Sequence, residues 1–594
     1  MKLILSLIAS FYSLITLADN SDINLIADST HAPFYYGVAS GDPMDTKVII
    51  WTHITTNQPV VSVSFEMAID SLFTNIIESG NYITNDSLDY TVKVDVAGLS
   101  SNTTYFFRFK DNNNNYSVVG RTKTASNTAV SDLKFAVISC SSIYSGYFNA
   151  YRSIAERSDL NAIIHLGDYI YEDMVFNEEV RVPANIPVYQ PPINKEQWRS
   201  IHKFWLLDPD LRAARQRHPF IQLWDNHDTD GLHFDCKESS EAFMNWTPTR
   251  ENATNYQKIY RQLKYGSLLD IFILDIALWR GIDVISGVDK SCLGNEQFNW
   301  FKNAIQNSTA KWKIVGSQKM FSHWSVPSLA TILGNGGVVN PNSWDGCAAE
   351  RDRLLNLFDS NNINNVVLIS GDSHVSLAAD VPYTPFDSNT YNDTTGFGSL
   401  CVEFAPASIS RGNFDEKGLS ESLINTVLQF SNEENINQHY LELTKHGYGI
   451  MHFNNDSLRA QYWYCDILEK SNLDTLGKEL VVFNGENHWK RKSFTPNSIN
   501  EKNIQNNNVF ISKPYPNPAS KEISFDIELK KNENIKVSIV QMLNYKEYDF
   551  KLSKVLKNIK KEHVKTPIDD FPKGIYILMI EGDSFYKGQL FYKM

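Results

Sequence analysis

Between Leu133 and His374, six short, largely aliphatic runs each break off at a polar or turn-forming stretch. KFAVIS ends in CSS, NAIIHL in GDYIYED and HPFIQLW in DNHD. LLDIFILD ends in IALWRG, AKWKIVGS in QKMF and NNVVLIS in GDSH. Runs of this length, flanked by turn residues, read as buried strands. Helix-like stretches such as YFNAYRSIAERS, NEQFNWFKNAIQNS and CAAERDRLLNLFDS lie among them. That alternation predicts an α/β fold. In such folds polar chemistry collects at the carboxyl ends of the strands.

Four of those ends carry metal-ligand types. KFAVIS leads to Cys140, and NAIIHL to Asp168 and Tyr171. FIQLW leads to Asp225, Asn226, His227 and Asp228, and NVVLIS to Asp372 and His374. Carboxylates that face one another in a protein interior cost several kcal/mol unless cations compensate them. A metal cluster is the simplest compensator. A carboxylate such as Asp168 can bridge two cations, which together clamp a phosphoryl group in displacement. Asn226 offers a neutral oxygen and His374 an imidazole. Tyr171 and Cys140, as phenolate and thiolate, favour a trivalent or soft transition metal over magnesium. His227 follows Asn226 directly and is placed to act as general acid.

Each residue has a plainer alternative. Cys140 fits a buried apolar thiol, and Tyr171 a core aromatic with a paired hydroxyl. His165 lies inside an apolar run and reads as a core histidine. Asp275 and Arg280 fit a strand-end ion pair. Glu172 and Asp173 read as solvated or supporting groups. For Asp168, Asn226, His227, Asp372 and His374 the functional reading leads, because the motifs occur together and in order.

The flanks are of another kind. The chain has 594 residues, enough for about three or four domains. The start, MKLILSLIASFYSLITLADN, has one basic residue, an apolar run and small residues near Ala18. It predicts a secretory signal over 1–18, too short for a membrane span of roughly 18 or more apolar residues. Residues 24–128 read as an antiparallel β-sandwich of short strands with turns between them. Tyr105 sits where a fibronectin type III-like module carries its corner tyrosine. The catalytic α/β domain is expected over 130–475, a polar, Asn-rich linker over 490–512, and a small lysine-rich β-sandwich over 513–594. Net charge is −13, which excludes a general nucleic-acid platform. Six cysteines without a CxxC exclude a zinc ribbon. They are too sparse for a disulfide scaffold, although some can pair in an exported protein.

The stretches FYYGVASGDPMDTKVIIWTHI, FAVISC, HLGDYIYED, DPDLRAARQRHPFIQLWDNHD, FILDIALWRG, WDGCAAERDRLL and VVLISGDSHVS resemble the alkaline phosphatase D family over roughly residues 33–470. The core is also similar to the purple acid phosphatase site. The resemblance implies a four-layer αββα metallophosphatase domain behind a fibronectin-like sandwich. It implies Fe(III) and Ca²⁺, with zinc or manganese as alternatives. Cys140 and Tyr171 would bind iron, Asp168 would bridge, Asn226 would serve calcium, and Asp372 and His374 would close the cluster. Asp225, Asp228 and Arg280 are left as supporting or substrate-facing residues. The sequence departs from the family at three places. Asn226 stands where the family has a second aspartate, Ala277 replaces the first arginine of an LDxRxxR pattern, and Cys347 ends a WDGY pattern. YPNPAS, FPKGIYILMI and KGQLFYKM resemble the C-terminal sorting domain of the type IX secretion system, which makes that machinery a partner.

The expected protein is therefore a monomeric, secreted, metal-dependent phosphoric ester hydrolase. A metal-activated hydroxide would attack phosphorus in line, with His227 protonating the leaving oxygen. Two rivals are a phospholipase D-like diesterase acting on lipid or cell-wall polymers and a non-catalytic surface binding protein with structural metals.

Overall fold

The computed structural model describes residues 25–173, 180–181, 192, 194–229, 236–286, 289–329, 338–491, 509–512, 514–516, 519–544, 547–582 and 585–593. The signal segment 1–18, most of the 490–512 linker and much of the loops 175–195 and 325–345 lie outside them.

The predicted apolar runs form strands in two large sheets. In the first, Asp132–Ile138, Ala162–His165 and Pro219–Gln222 lie side by side and parallel. In the second, Leu269–Ile273, Trp312–Ser317, Val366–Ser370 and Ser399–Ala405 do the same. Parallel strands buried on both faces need continuous apolar sequence, which these runs supply. One core joins the sheets face to face: Val137, Ile164 and Ile221 of the first meet Ile271, Ile314, Val367 and Phe404 of the second. The opposite face of the first sheet (Ala136, Ile138, Ile163, Phe220) packs on the helices Asn149–Glu156, Lys195–Trp205, Pro209–Arg217 and Lys237–Trp246. The far face of the second (Phe272, Val315, Val366, Leu368) packs on the helices Gly294–Gln306 and Ala348–Ser360. Later strands complete the first sheet: His446–Asn454, Ser457–Cys465, Asp474–Phe483 and Lys490–Arg491. The sheet thus runs beyond residue 475.

The N-terminal strands build a two-sheet sandwich with its own core, and one of its sheets is continuous with the catalytic domain. A four-stranded sheet (Val60–Ala68, Ile76–Asn85, Thr104–Lys110, Gly120–Lys123) packs through Phe65, Met67, Phe107 and Phe109 on Val38, Val48, Ile50 and Val92. The strands carrying the latter four belong to the large first sheet, because Val38–Gly41 pairs in parallel with Pro219–Gln222. Tyr105 is buried, and its hydroxyl accepts a hydrogen bond from Ser100 N at 2.8 Å. The C-terminal strands hydrogen-bond into one five-stranded sheet among the described residues, and Phe525 and Ile527 from one half share a core with Val537, Ile539 and Leu578 from the other. The reason is the 23-residue strand Glu522–Asn544, whose register shifts between Glu528 and Ile535. Its two halves pair with different neighbours, Val509–Ile511 and Gly574–Gly582.

Cys292 and Cys347 form a disulfide across 55 residues of sequence. It ties the entry of the helix Gly294–Gln306 to the start of Ala348–Ser360. A closed loop of that length is worth about 2–4 kcal/mol. Among the described residues no helix is long and apolar enough to cross a membrane.

Candidate metal centre

The strand ends of both sheets converge on one site. Asp132–Ile138 ends two residues before Cys140, Ala162–His165 three before Asp168, Pro219–Gln222 three before Asp225 and Val366–Ser370 two before Asp372. Cys140, Asp168, Asp372 and His374 all take positive φ (58°, 52°, 62° and 64°). Such a backbone is uncommon outside glycine and costs of order 1–3 kcal/mol per residue. Strain that falls on four ligand-type residues aims their side chains inward. Gly167 (φ 104°) is needed for the same approach, since a Cβ there would lie 2.7 Å from Asp225 Cβ.

The ligand atoms fall into two groups that share Asp168. Cys140, Asp168 and His374 each offer one atom, all within 4.8 Å of one another; so do Asp168, Asp225 and Asp372. In the first group Tyr171 Oη donates to Asp168 Oδ2 at 3.1 Å and lies 3.4 Å from His374 Nε2, and Cys140 Sγ lies 3.7 Å from Asp168 Oδ2. His374 Nδ1 is 3.0 Å from Gly412 O. A carbonyl only accepts, so Nδ1 carries the hydrogen and Nε2 turns its lone pair to the cluster.

The second group holds a residue that the motifs did not supply. Lys319 follows the strand Trp312–Ser317. Its Nζ is 2.8 Å from Asp225 Oδ2, donates to Asn226 Oδ1 at 2.8 Å and contacts Asp372 Oδ1. The Asp225 contact is an ion pair off the angle of a directed hydrogen bond, which leaves both Asp225 oxygens without a directed donor. Asn340 Nδ2 donates to Asp372 Oδ2 at 3.1 Å.

Burial, then the charge of Asp168, pushes the Cys140 thiol and the Tyr171 phenol well above their ordinary pKa values. Burial drives His374 well below. It raises Asp225 against the pull of Lys319, and with Asp168 it raises Asp228 to about 8. Burial opposes the Lys319 ammonium, but Asp225, Asp372 and Asp168 hold its pKa above the ordinary value. The thiol, the phenol and the two carboxyls by themselves resist ionisation, and a bound cation reverses that preference.

His227 stands beside the first group. Its ring centroid is 4.2 Å from that of Tyr171, and its backbone N donates to Asp168 Oδ1 at 3.3 Å. Nδ1 donates to Glu172 Oε2 at 2.8 Å. Burial works against the imidazolium, but Asp168 and Glu172 raise its pKa to about 9.

Residues 135–462 match the model of the PhoD-like phosphatase, and residues 19–126 match its N-terminal domain. The chain belongs to the PhoD-like phosphatase family. It is accordingly a phosphoesterase of the hydrolase class. Over 458 residues it is 30% identical to alkaline phosphatase D of Bacillus subtilis (strain 168), covering 69% of this chain and 76% of that one. A solved structure of PhoD superposes with a TM-score of 0.68 at 26% identity, over 79% of this chain and 94% of that one. Residues 513–589 match a secretion system C-terminal sorting domain.

In this PhoD-like phosphatase the other motif residues take supporting places. Asp228 accepts from the backbone N–H groups of Tyr169, Ile170 and Asp225, so it braces the loop that carries Asp168. Asp275 and Arg280 do not pair. Asp275 accepts from Trp224 Nε1 and from Ala277 N, whereas Arg280 donates to the carbonyls of Pro341, Asn342 and Ser343. His165 is fully buried, with Nε2 3.0 Å from the Tyr151 hydroxyl. Glu172, expected as a solvated or supporting group, takes the supporting place beside His227. Two site residues escaped the motif search. Arg411, whose guanidinium lies 4.3 Å over the Tyr171 ring and which pairs with Asp173 at 3.3 Å, sits in a loop without a motif. Lys319 is at the fifth strand end, QKMF, but lysine is not a ligand type.

Proposed function

We propose that the protein is an exported, metal-dependent phosphoric ester hydrolase. Its catalytic body is read as four αββα layers and its N-terminal sandwich as fibronectin type III-like. The observation that carries the reading is the pair of ligand groups sharing Asp168, with the His227 ring packed at a tilt against Tyr171 beside them. The sorting domain is read as the address for type IX export.

Cys140, Asp168, Tyr171 and His374 fit one transition-metal ion: a thiol, a phenol, a carboxylate and an imidazole in a buried pocket suit Fe(III) better than magnesium. Such an ion polarises a phosphoryl oxygen and acidifies water. Asp225, Asn226 and Asp372 are the hard oxygen set expected for calcium. With Lys319 Nζ among them they do not fit a second cation, and no step is routed through one.

The chain's own groups do the rest. Gly412 O sets the His374 tautomer, and Asp228 fixes the loop of Asp168. Glu172 orients the His227 ring through Nδ1, and the imidazolium gives its Nε2 proton to the leaving oxygen. Asp168 and Glu172 favour the charged form of that acid. Metal-replete protein is expected to hydrolyse p-nitrophenyl phosphate or its bis ester above the metal-free background. Faster head-group release from a phospholipid would shift the reading to a lipid diesterase, and inertness on all three would overturn it. Replacing Glu172 by glutamine removes the charge that supports the acid. The alkaline limb of kcat for an alkyl phosphate ester, whose leaving oxygen needs that proton, then moves to lower pH by about 1–3 units, because His227 loses its proton earlier. An unmoved limb would remove His227 from the role.

A further inference from the structure

We infer that the Lys319 ammonium stands in the place of a second metal ion, so the centre holds one metal ion and one fixed organic cation. This rests on the metal-dependent reading above and deepens it.

The geometry is specific. The Lys319 side chain is 4% exposed, and its Nζ lies against three oxygens from two other strand ends: Asp225 Oδ2 and Asn226 Oδ1 at 2.8 Å each, and Asp372 Oδ1. A lysine ammonium is a compact point charge with three N–H groups, and here it faces three oxygens. A calcium ion would need the same oxygens at about 2.3–2.6 Å. Two cations cannot fill one volume, and a buried lysine has no solvated position at hand to swing to. The charges agree. Asp225 and Asp372 form a ligand group with Asp168, and buried carboxylates left uncompensated cost several kcal/mol. Lys319 meets that need from within the chain. Asn226 fits the same logic: an amide completes the shell without a further negative charge, suited to a partner of charge +1. A phosphoryl oxygen entering between the two groups would meet the metal on one side and the fixed positive charge of the ammonium on the other, in a pocket where both act at low dielectric.

The test is a metal count on the full-length protein. Elemental analysis of the wild type, loaded with iron and calcium and then dialysed, is expected to give one transition-metal ion per chain and no calcium lost on Asp372→Asn substitution. Hydrolysis persists when calcium is chelated. Lys319→Met keeps the apolar stem and removes the charge. Titration calorimetry is expected to show it taking up one calcium ion per chain, with activity that now depends on calcium. Two results would overturn the inference. One is a wild-type protein holding a second ion whose binding Asp372→Asn abolishes. The other is a Lys319→Met protein, folded by circular dichroism and iron-loaded, that takes up no calcium. A single-ion wild type inert on every phosphate ester would instead leave the metal count standing and sink the hydrolase reading.

Discussion

His227→Ala in the metal-replete protein lowers kcat for an alkyl phosphate ester by about 10²–10⁴-fold, the usual contribution of a positioned general acid, with KM little changed. The ring packs at a tilt against Tyr171 and is held by Glu172 at 2.8 Å, so its proton is positioned. The size of the loss depends on the leaving group. p-Nitrophenolate departs without a proton, so an aryl ester loses much less than an alkyl ester. Steady-state kinetics on a series of leaving groups reads this directly. An equal loss across the series would make His227 a binding or positioning residue, and no loss at all would take it out of the mechanism.

Asp168→Asn has a larger and double effect. Asp168 belongs to both ligand groups. Its Oδ2 accepts from Tyr171, and its Oδ1 accepts from the backbone of His227. Loss of supporting partners alone costs about 10–100-fold in metal affinity, so loss of the shared carboxylate costs at least that, and turnover falls to background. The metal-free protein is affected far less. The charge of Asp168 raises the pKa of Cys140, Tyr171, Asp225 and Asp228, each already raised first by burial. An amide relieves that repulsion, but it keeps an oxygen for only one of the two hydrogen bonds and removes the carboxylate that supports the His227 and Lys319 cations. The opposing effects leave chelator-treated Asp168→Asn within about 1 kcal/mol of chelator-treated wild type. Loading with metal stabilises the wild type far more than the variant. Thermal melts of the four samples check this; a variant that gains as much from metal as the wild type would contradict the shared-ligand account.

The sequence by itself determined the local part of this protein. An aliphatic run that must bury both faces is readable without neighbours, as is the polar break where it emerges. KFAVIS, NAIIHL, FIQLW and VVLIS thus announced their strands, and Cys140, Asp168, Asn226, His227, Asp372 and His374 announced themselves by standing just beyond those strands. Only the tertiary structure decided what depends on lateral order. The pairing of Val38–Gly41 with Pro219–Gln222 merges the N-terminal strands into the catalytic sheet, and nothing in either segment encodes that partner. The bond between Cys292 and Cys347 was one choice among several cysteines. Glu172 acquires its role only because His227 arrives from another strand end, 55 residues away. Lys319 lies 94 residues from Asp225 and 53 from Asp372, and its meaning comes from the packing of one sheet on the other. Periodicity and turn chemistry act over a few residues, whereas a compensating charge acts through space. The ammonium among the carboxylates became visible only once the strands had an order.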